Sequence, residues 1–136
     1  MAIEIEKLKA EILNILPQPT RKFKGMLICG ELPEITIKLS NKGLNVSVYS
    51  AQWSGPHKLR IKPQEHYTTD WDSLPCNFDE AINLIRQKIE SAVRLRLSTC
   101  ITCRLCKKTT PPEYRWYRYN EEICQSCASE KFGVVY

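Results

Sequence analysis

The sequence predicts an α+β protein whose C-terminal end is organised around a metal. Three observations carry that reading. Apolar residues recur with helical period at the start of the chain, and switch to strict alternation between residues 23 and 62. They then return as a long helical stripe ending near residue 98. Beyond the stripe, five of the seven cysteines fall between Cys100 and Cys127. The expected architecture is an N-terminal helix and an antiparallel meander of three to four strands covered by a long helix, followed by a small module built on four cysteines. Residues 1–99 form the α+β domain and residues 100–136 the cysteine module.

Within residues 2–16, Ile5, Leu8, Ile12 and Ile15 share a helical face with Leu16 beside them, while Glu4, Lys7, Glu11 and Asn14 face away. Lys7 and Glu11 are spaced to pair across one turn. Pro17 and Pro19 stop this helix, because proline lacks an amide donor and restricts the residue before it. Met26 to Glu31 reads as a strand closed by Pro33. Ile35, Ile37 and Leu39 then alternate with polar residues, Asn41-Lys42-Gly43 turns the chain, and Leu44, Val46 and Val48 alternate again: a hairpin. Trp53-Ser54-Gly55-Pro56 is a second turn signal, and His57 to Lys62 a fourth short strand with Leu59 and Ile61 inward. The meander is expected to keep one face wet. Residues 63–76 have no period and two prolines, which predicts a loop. Asn77 followed by Glu80 opens a helix as a capping box, and Phe78, Ile82, Ile85, Ile89, Val93 and Leu97 form its apolar stripe. Arg94 and Arg96 suit the negative end of its dipole.

The last 37 residues are too poor in aliphatic side chains to fold on a core of their own. The cysteines supply the alternative. Cys103-x2-Cys106 and Cys124-x2-Cys127 are two pairs separated by seventeen residues, a spacing that lets four thiolates close a tetrahedron around one structural Zn²⁺. Cys100 with Cys103 would make a comparable first pair with a spacer of twenty. The nearness of Cys100 to the end of the long helix favours Cys103 and Cys106. Cys29, in a strand, reads as a small buried hydrophobe. An odd cysteine count with metal spacing points to a reducing compartment, and the chain is read as cytoplasmic. No apolar run approaches the ~18 residues of a membrane span.

A knuckle, a hairpin-like middle and a second pair at a helix start is the layout of a treble clef. The residues Cys-Arg-Leu-Cys-Lys-Lys-Thr-Thr-Pro-Pro-Glu-Tyr-Arg, then Ile-Cys-Gln-Ser-Cys-Ala-Ser-Glu-Lys-Phe-Gly, resemble a GATA-type zinc finger over about residues 103–133. Pro112, Tyr114 and Arg115 stand where that family has Pro, Trp and Arg. The resemblance implies a four-cysteine zinc finger and, through the family, contact with DNA. The family's basic tail has no counterpart in the nine residues after Cys127, which end in Gly-Val-Val-Tyr.

Binding residues are read from charge and aromatics. Arg104, Lys107, Lys108, Arg115 and Arg118 surround the finger, interleaved with Tyr114, Trp116, Tyr117 and Tyr119, and Lys58, Arg60 and Lys62 alternate along one strand. Cations contact phosphates and exposed rings stack on bases. The net charge of +5 is spread along the chain. Four thiolates on one Zn²⁺ carry −2, which lowers the total to about +3. The function expected is a small non-enzymatic zinc protein that binds nucleic acid, DNA ahead of RNA. The alternative is an adaptor or inhibitor docking on a larger, possibly nucleoprotein, complex with zinc purely structural. Chemistry at an active site finds little support: the only histidines are His57 and His66, and His66 with Asp70 and Asp72 is a commonplace polar loop. No phosphate-binding glycine loop or nucleophile–base pattern is present.

Overall fold

The computed structural model describes residues 4–30, 34–53, 59–116 and 122–133. The fold is α+β: an N-terminal helix, a five-stranded antiparallel sheet, a long helix and a C-terminal cysteine region. Helix α1 spans Ile5–Ile15, β1 Thr20–Phe23, β2 Met26–Cys29, β3 Ile35–Leu39, β4 Gly43–Trp53, β5 Leu59–Asp70 and α2 Phe78–Ser98. The strands lie in sequence order β1-β2-β3-β4-β5. Two compact units result. One gathers the described residues of Met1–Ser50 and Lys62–Arg96, the other those of Ala51–Ile61 and Leu97–Tyr136.

The first unit has a conventional apolar core. Register puts Leu27, Ile37 and Val46 side by side across β2, β3 and β4, and Cys29, Ile35 and Val48 likewise. Helix α1 adds Leu8 and Ile12 to this face, and α2 adds Ala81, Ile82, Ile85, Ile89 and Ala92. The cap predicted at Asn77 is present, its Oδ1 accepting the Glu80 N–H at 3.1 Å. Lys7 sits over the Phe78 ring, 4.9 Å from its centroid, instead of pairing with Glu11, and the ion pair within α1 is Lys9–Glu6 at 3.6 Å.

Four details depart from the sequence expectation. A strand precedes Met26: Thr20–Phe23 pairs along all of β2 through the tight turn at Lys24-Gly25. The fourth strand expected to stop at Lys62 runs on to Asp70, so most of the expected loop is sheet. Pro63 is tolerated because β5 is an edge strand, where one row of amides needs no partner. Trp71 then seals the end of the β3–β4 hairpin: it is buried, its indole N–H donates to the Ser40 carbonyl at 2.9 Å, and its amide to that of Lys42 at 3.1 Å. Beside it β4 and β5 touch so closely that a Cβ on Gly43 would fall on the Thr69 carbonyl.

The third departure is on the sheet's outer face, which is not uniformly wet. Thr36 and Ser47, directly opposite each other, are both buried, and the Ser47 hydroxyl donates to Asn45 Oδ1 at 3.0 Å. The fourth is at the end of α2. The buried line runs through Ile85, Ile89, Ala92 and Arg96, leaving Val93 half-buried and Leu97 exposed. At 3.6 residues per turn those four stay on one face, whereas repeated steps of four carry Val93 and Leu97 round and off it. Arg96 is thus a core side chain, while Arg94 is solvated. The Arg96 charge counteracts part of the upward push that burial gives the Glu34 carboxyl. The turn signal at residues 54–56 lies outside the described residues.

Candidate metal centre

The second unit is built from pieces too short to stand alone. Strand β6 (Ile101–Thr102) pairs antiparallel with β7 (Thr109–Thr110), β8 (Arg115–Trp116) with β9 (Ile123–Cys124), and α3 spans Gln125–Phe132. Its buried cluster consists of Cys103, Ile123 and Ala128. The knuckle between β6 and β7 is locked by its own backbone. The Lys107 amide donates to the Cys103 carbonyl and the Cys103 amide to the Lys108 carbonyl, both at 2.9 Å. Closing so tight a loop turns Lys107 into the left-handed region at φ 66°. The Arg104 amide donates to the Glu122 carbonyl at 2.7 Å, which ties the knuckle to the segment entering β9. Helix α3 follows Cys124 directly and ends at Gly133, whose φ of 66° makes the left-handed C-terminal cap.

These connections bring Cys103, Cys106, Cys124 and Cys127 together, with every sulfur within 4.8 Å of the others. The donor set fits a tetrahedral thiophilic ion. With Zn–S bonds of about 2.3 Å, a tetrahedral site has sulfurs about 3.8 Å apart. The Cys106 and Cys124 sulfurs are separated by 3.8 Å. The four sulfurs could therefore hold one metal ion, and a tetrahedral set of four sulfurs is one that zinc or iron accepts. Cys100 lies outside the group, its amide donating to the Leu97 carbonyl at 3.0 Å.

Within the group, Cys103 is drawn toward thiolate. Burial alone would push the Cys103 thiol up, but the amides of Cys106, Cys124 and Leu105 and the Cys106 side chain outweigh it and hold the group at about 6. The Cys124 amide lies 3.4 Å from the Cys103 sulfur. A hydrogen bond that the Cys127 thiol donates to Cys124, then burial and the other sulfurs, drive Cys127 the other way, to about 12. Neighbouring sulfurs thus pull the Cys103 and Cys127 thiols in opposite directions.

The predicted contact residues divide three ways. Arg104, Lys107, Lys108 and Arg60 are exposed and belong to the same unit as the four cysteines, with Arg115 half-buried. Lys62 is exposed but belongs to the first unit. Lys58, Arg118 and the Trp116 side chain lie outside the described residues. Tyr114, one of the aromatics read from sequence as a stacking ring, is 49% exposed and flanks a hollow of about 450 Å³ beside Gln125 and Ser126. Leu105 and Phe132, which the sequence did not single out as contact residues, are also open to solvent. The exposure of these two depends on tertiary placement, so the sequence carried no signal for it. His66 is engaged elsewhere: its Nε2 lies 3.2 Å from the Ser91 hydroxyl of α2. No helix among the described residues is long and apolar enough to cross a membrane. Scans of protein-family models, curated proteins and solved structures find no match to this chain.

Proposed function

We propose that this chain is a small non-enzymatic protein whose C-terminal unit is a zinc-held finger of treble-clef type that binds nucleic acid, DNA ahead of RNA. The observation that carries the reading is the knuckle itself. Lys107 and Lys108 follow a metal-ligand candidate directly, their backbones are tied to Cys103, and their side chains are exposed. Cations on so constrained a backbone meet phosphates with little loss of conformational freedom. Arg104 and Arg60 add charge on the same unit, and the exposed Tyr114 ring is suited to stacking on a base. The GATA-type resemblance supports the finger. Thiolates poised for metal suit a reducing compartment, and the reading places the protein in the cytoplasm.

The test is oligonucleotide binding by metal-loaded protein as salt is varied. Affinity should fall with a log–log slope near the number of phosphates contacted. Replacing Arg104, Lys107 and Lys108 with Ser should weaken it by about a hundredfold or more at low salt. Absence of binding at low salt, or binding indifferent to salt, would count against the proposal. A second reading, an adaptor docking on a nucleoprotein complex, is favoured by the exposed Leu105, Tyr114 and Phe132. It expects association that survives nuclease and is lost in a Leu105→Ser, Phe132→Ser variant while Lys107→Ser, Lys108→Ser retains it.

A further inference from the structure

The first unit carries a groove that the finger does not explain. It measures about 430 Å³ and lies between α1 and the β1–β2 hairpin, with Leu13, Phe23, Leu27 and Leu39 among its walls and Lys22 and Lys24 on its rim. Register shows why it is apolar. Lys22 lies opposite Leu27, which lies opposite Ile37, so the groove is an extension of the core-facing side of the sheet toward its β1 edge. Leu13 is 45% exposed and Phe23 is 52% exposed, a large apolar area for the surface of so small a unit.

Charge selects the occupant. No acidic residue lines the groove, and Lys22 has no ion-pair partner among the described residues. Lys24 is more telling. It occupies the first of two positive-φ positions in the hairpin turn, at φ 48° with Gly25 at φ 79°. Such a turn favours Asn or Gly at that position, so a lysine there is held against backbone preference. Its ammonium lies 5.4 Å from the centroid of the Phe23 ring, so cation and apolar wall are presented together. Strain of this kind is kept where a side chain is used.

We propose that this groove docks an acidic, apolar peptide segment of a partner protein, its apolar side chains entering between Leu13 and Phe23 and its carboxylates meeting Lys22 and Lys24. A small lipophilic acid is disfavoured because small-ligand sites enclose most of the ligand, whereas two walls here are half open. A nucleic acid is disfavoured because Phe23 is the one ring among lining side chains that are otherwise Leu13, Met26, Leu27, Ile37 and Leu39, which leaves no second ring for a neighbouring base. Peptides that alternate acidic and apolar residues have the matching chemistry. The site is independent of the metal centre and of the function proposed for it.

The experiment is fluorescence anisotropy on the full, metal-loaded chain with a short labelled peptide alternating Leu or Phe with Glu. A peptide with Lys in place of Glu and a single-stranded oligonucleotide serve as the contrasting probes. The Glu peptide should bind, weaken with salt, and lose about tenfold in affinity in Lys22→Ser and again in Lys24→Asn. Lys24→Asn also separates docking from folding, because it supplies the residue the turn prefers. Its unfolding midpoint should hold or rise while peptide affinity falls. Zinc content and oligonucleotide binding should not change. The proposal is overturned if the Glu peptide does not bind, if the Lys peptide binds equally, or if Lys24→Asn leaves peptide affinity intact. Transfer of the effect of these substitutions to the oligonucleotide would overturn it as well.

Discussion

The two units solve the same problem with different materials. Among the described residues, sixteen of the first unit, from α1 and its C-terminal end, the sheet, the Trp71 segment and α2, form one continuous apolar cluster. Among those of the second, the buried cluster is Cys103, Ile123 and Ala128, and one of the three is itself a metal-ligand candidate. At about 25 cal/mol per Å² of apolar surface, these three side chains by themselves fall far short of the conformational entropy of ordering the segment that carries them. Backbone hydrogen bonds shape the knuckle, but each contributes only about 1 kcal/mol net. Where buried aliphatic residues are few, four sulfurs that could hold a metal are gathered, and the sequence shows the exchange in its composition.

Removing that cross-link should have the largest effect. Metal analysis is expected to give about one zinc per chain, with a binding free energy of about 10 kcal/mol or more at neutral pH. Strong chelation should therefore unfold the finger while the far-ultraviolet signal of the five-stranded sheet persists. Cys103→Ser should do the same without chelator. Loss of the sheet signal together with the finger would mean that the division of labour between the two units is wrong. The mirror-image experiment is Ile85→Ala, which deletes a fully buried side chain from the centre of α2. It should lower stability by about 2–5 kcal/mol, seen as a shifted denaturant midpoint, with zinc stoichiometry unchanged.

How much of each unit could be read in advance follows the same division. The four clustered cysteines are Cys103, Cys106, Cys124 and Cys127; spacing, a local property, marked the pairs, and the nearness of Cys100 to the end of α2 chose between it and Cys106. The core positions of α1, β3, β4 and most of α2 were legible because period encodes which side faces in. What escaped was non-local. Residues 63–70 look like a loop because Pro63, Gln64 and Glu65 match no period, and only the edge position of β5 makes them acceptable as strand. Trp71 carries no local mark of its role, since its partners at Ser40 and Lys42 are about thirty residues earlier. Arg96 was read only as a cation suited to the end of the helix dipole, yet it continues the face of Ile85, Ile89 and Ala92 and is buried with them.

Smaller effects probe how sharply the first unit is specified. Asn77→Ala removes the acceptor for the Glu80 amide and should cost about 1 kcal/mol of that unit's stability. Asn77→Asp, which keeps an acceptor and adds charge at the positive end of α2, should restore it. Equal midpoints for all three would show that the cap is replaced by solvent.

The smallest effect is a pH dependence that only the apolar unit should show. Cys29 is fully buried, and burial first, then the Glu34 carboxylate, push its thiol from 9.0 to about 11. Below pH 9.0 the thiol is neutral both in the folded chain and in the unfolded one, and its contribution to stability is complete. Between 9.0 and about 11 the unfolded chain releases this proton while the folded chain keeps it, so stability declines as pH rises. Cys29→Ala lowers the midpoint at neutral pH by leaving a small void, but it removes this titration. Its midpoint should therefore fall less steeply across the window than that of the parent chain. Parallel curves would mean that the thiol is not held in the core as described.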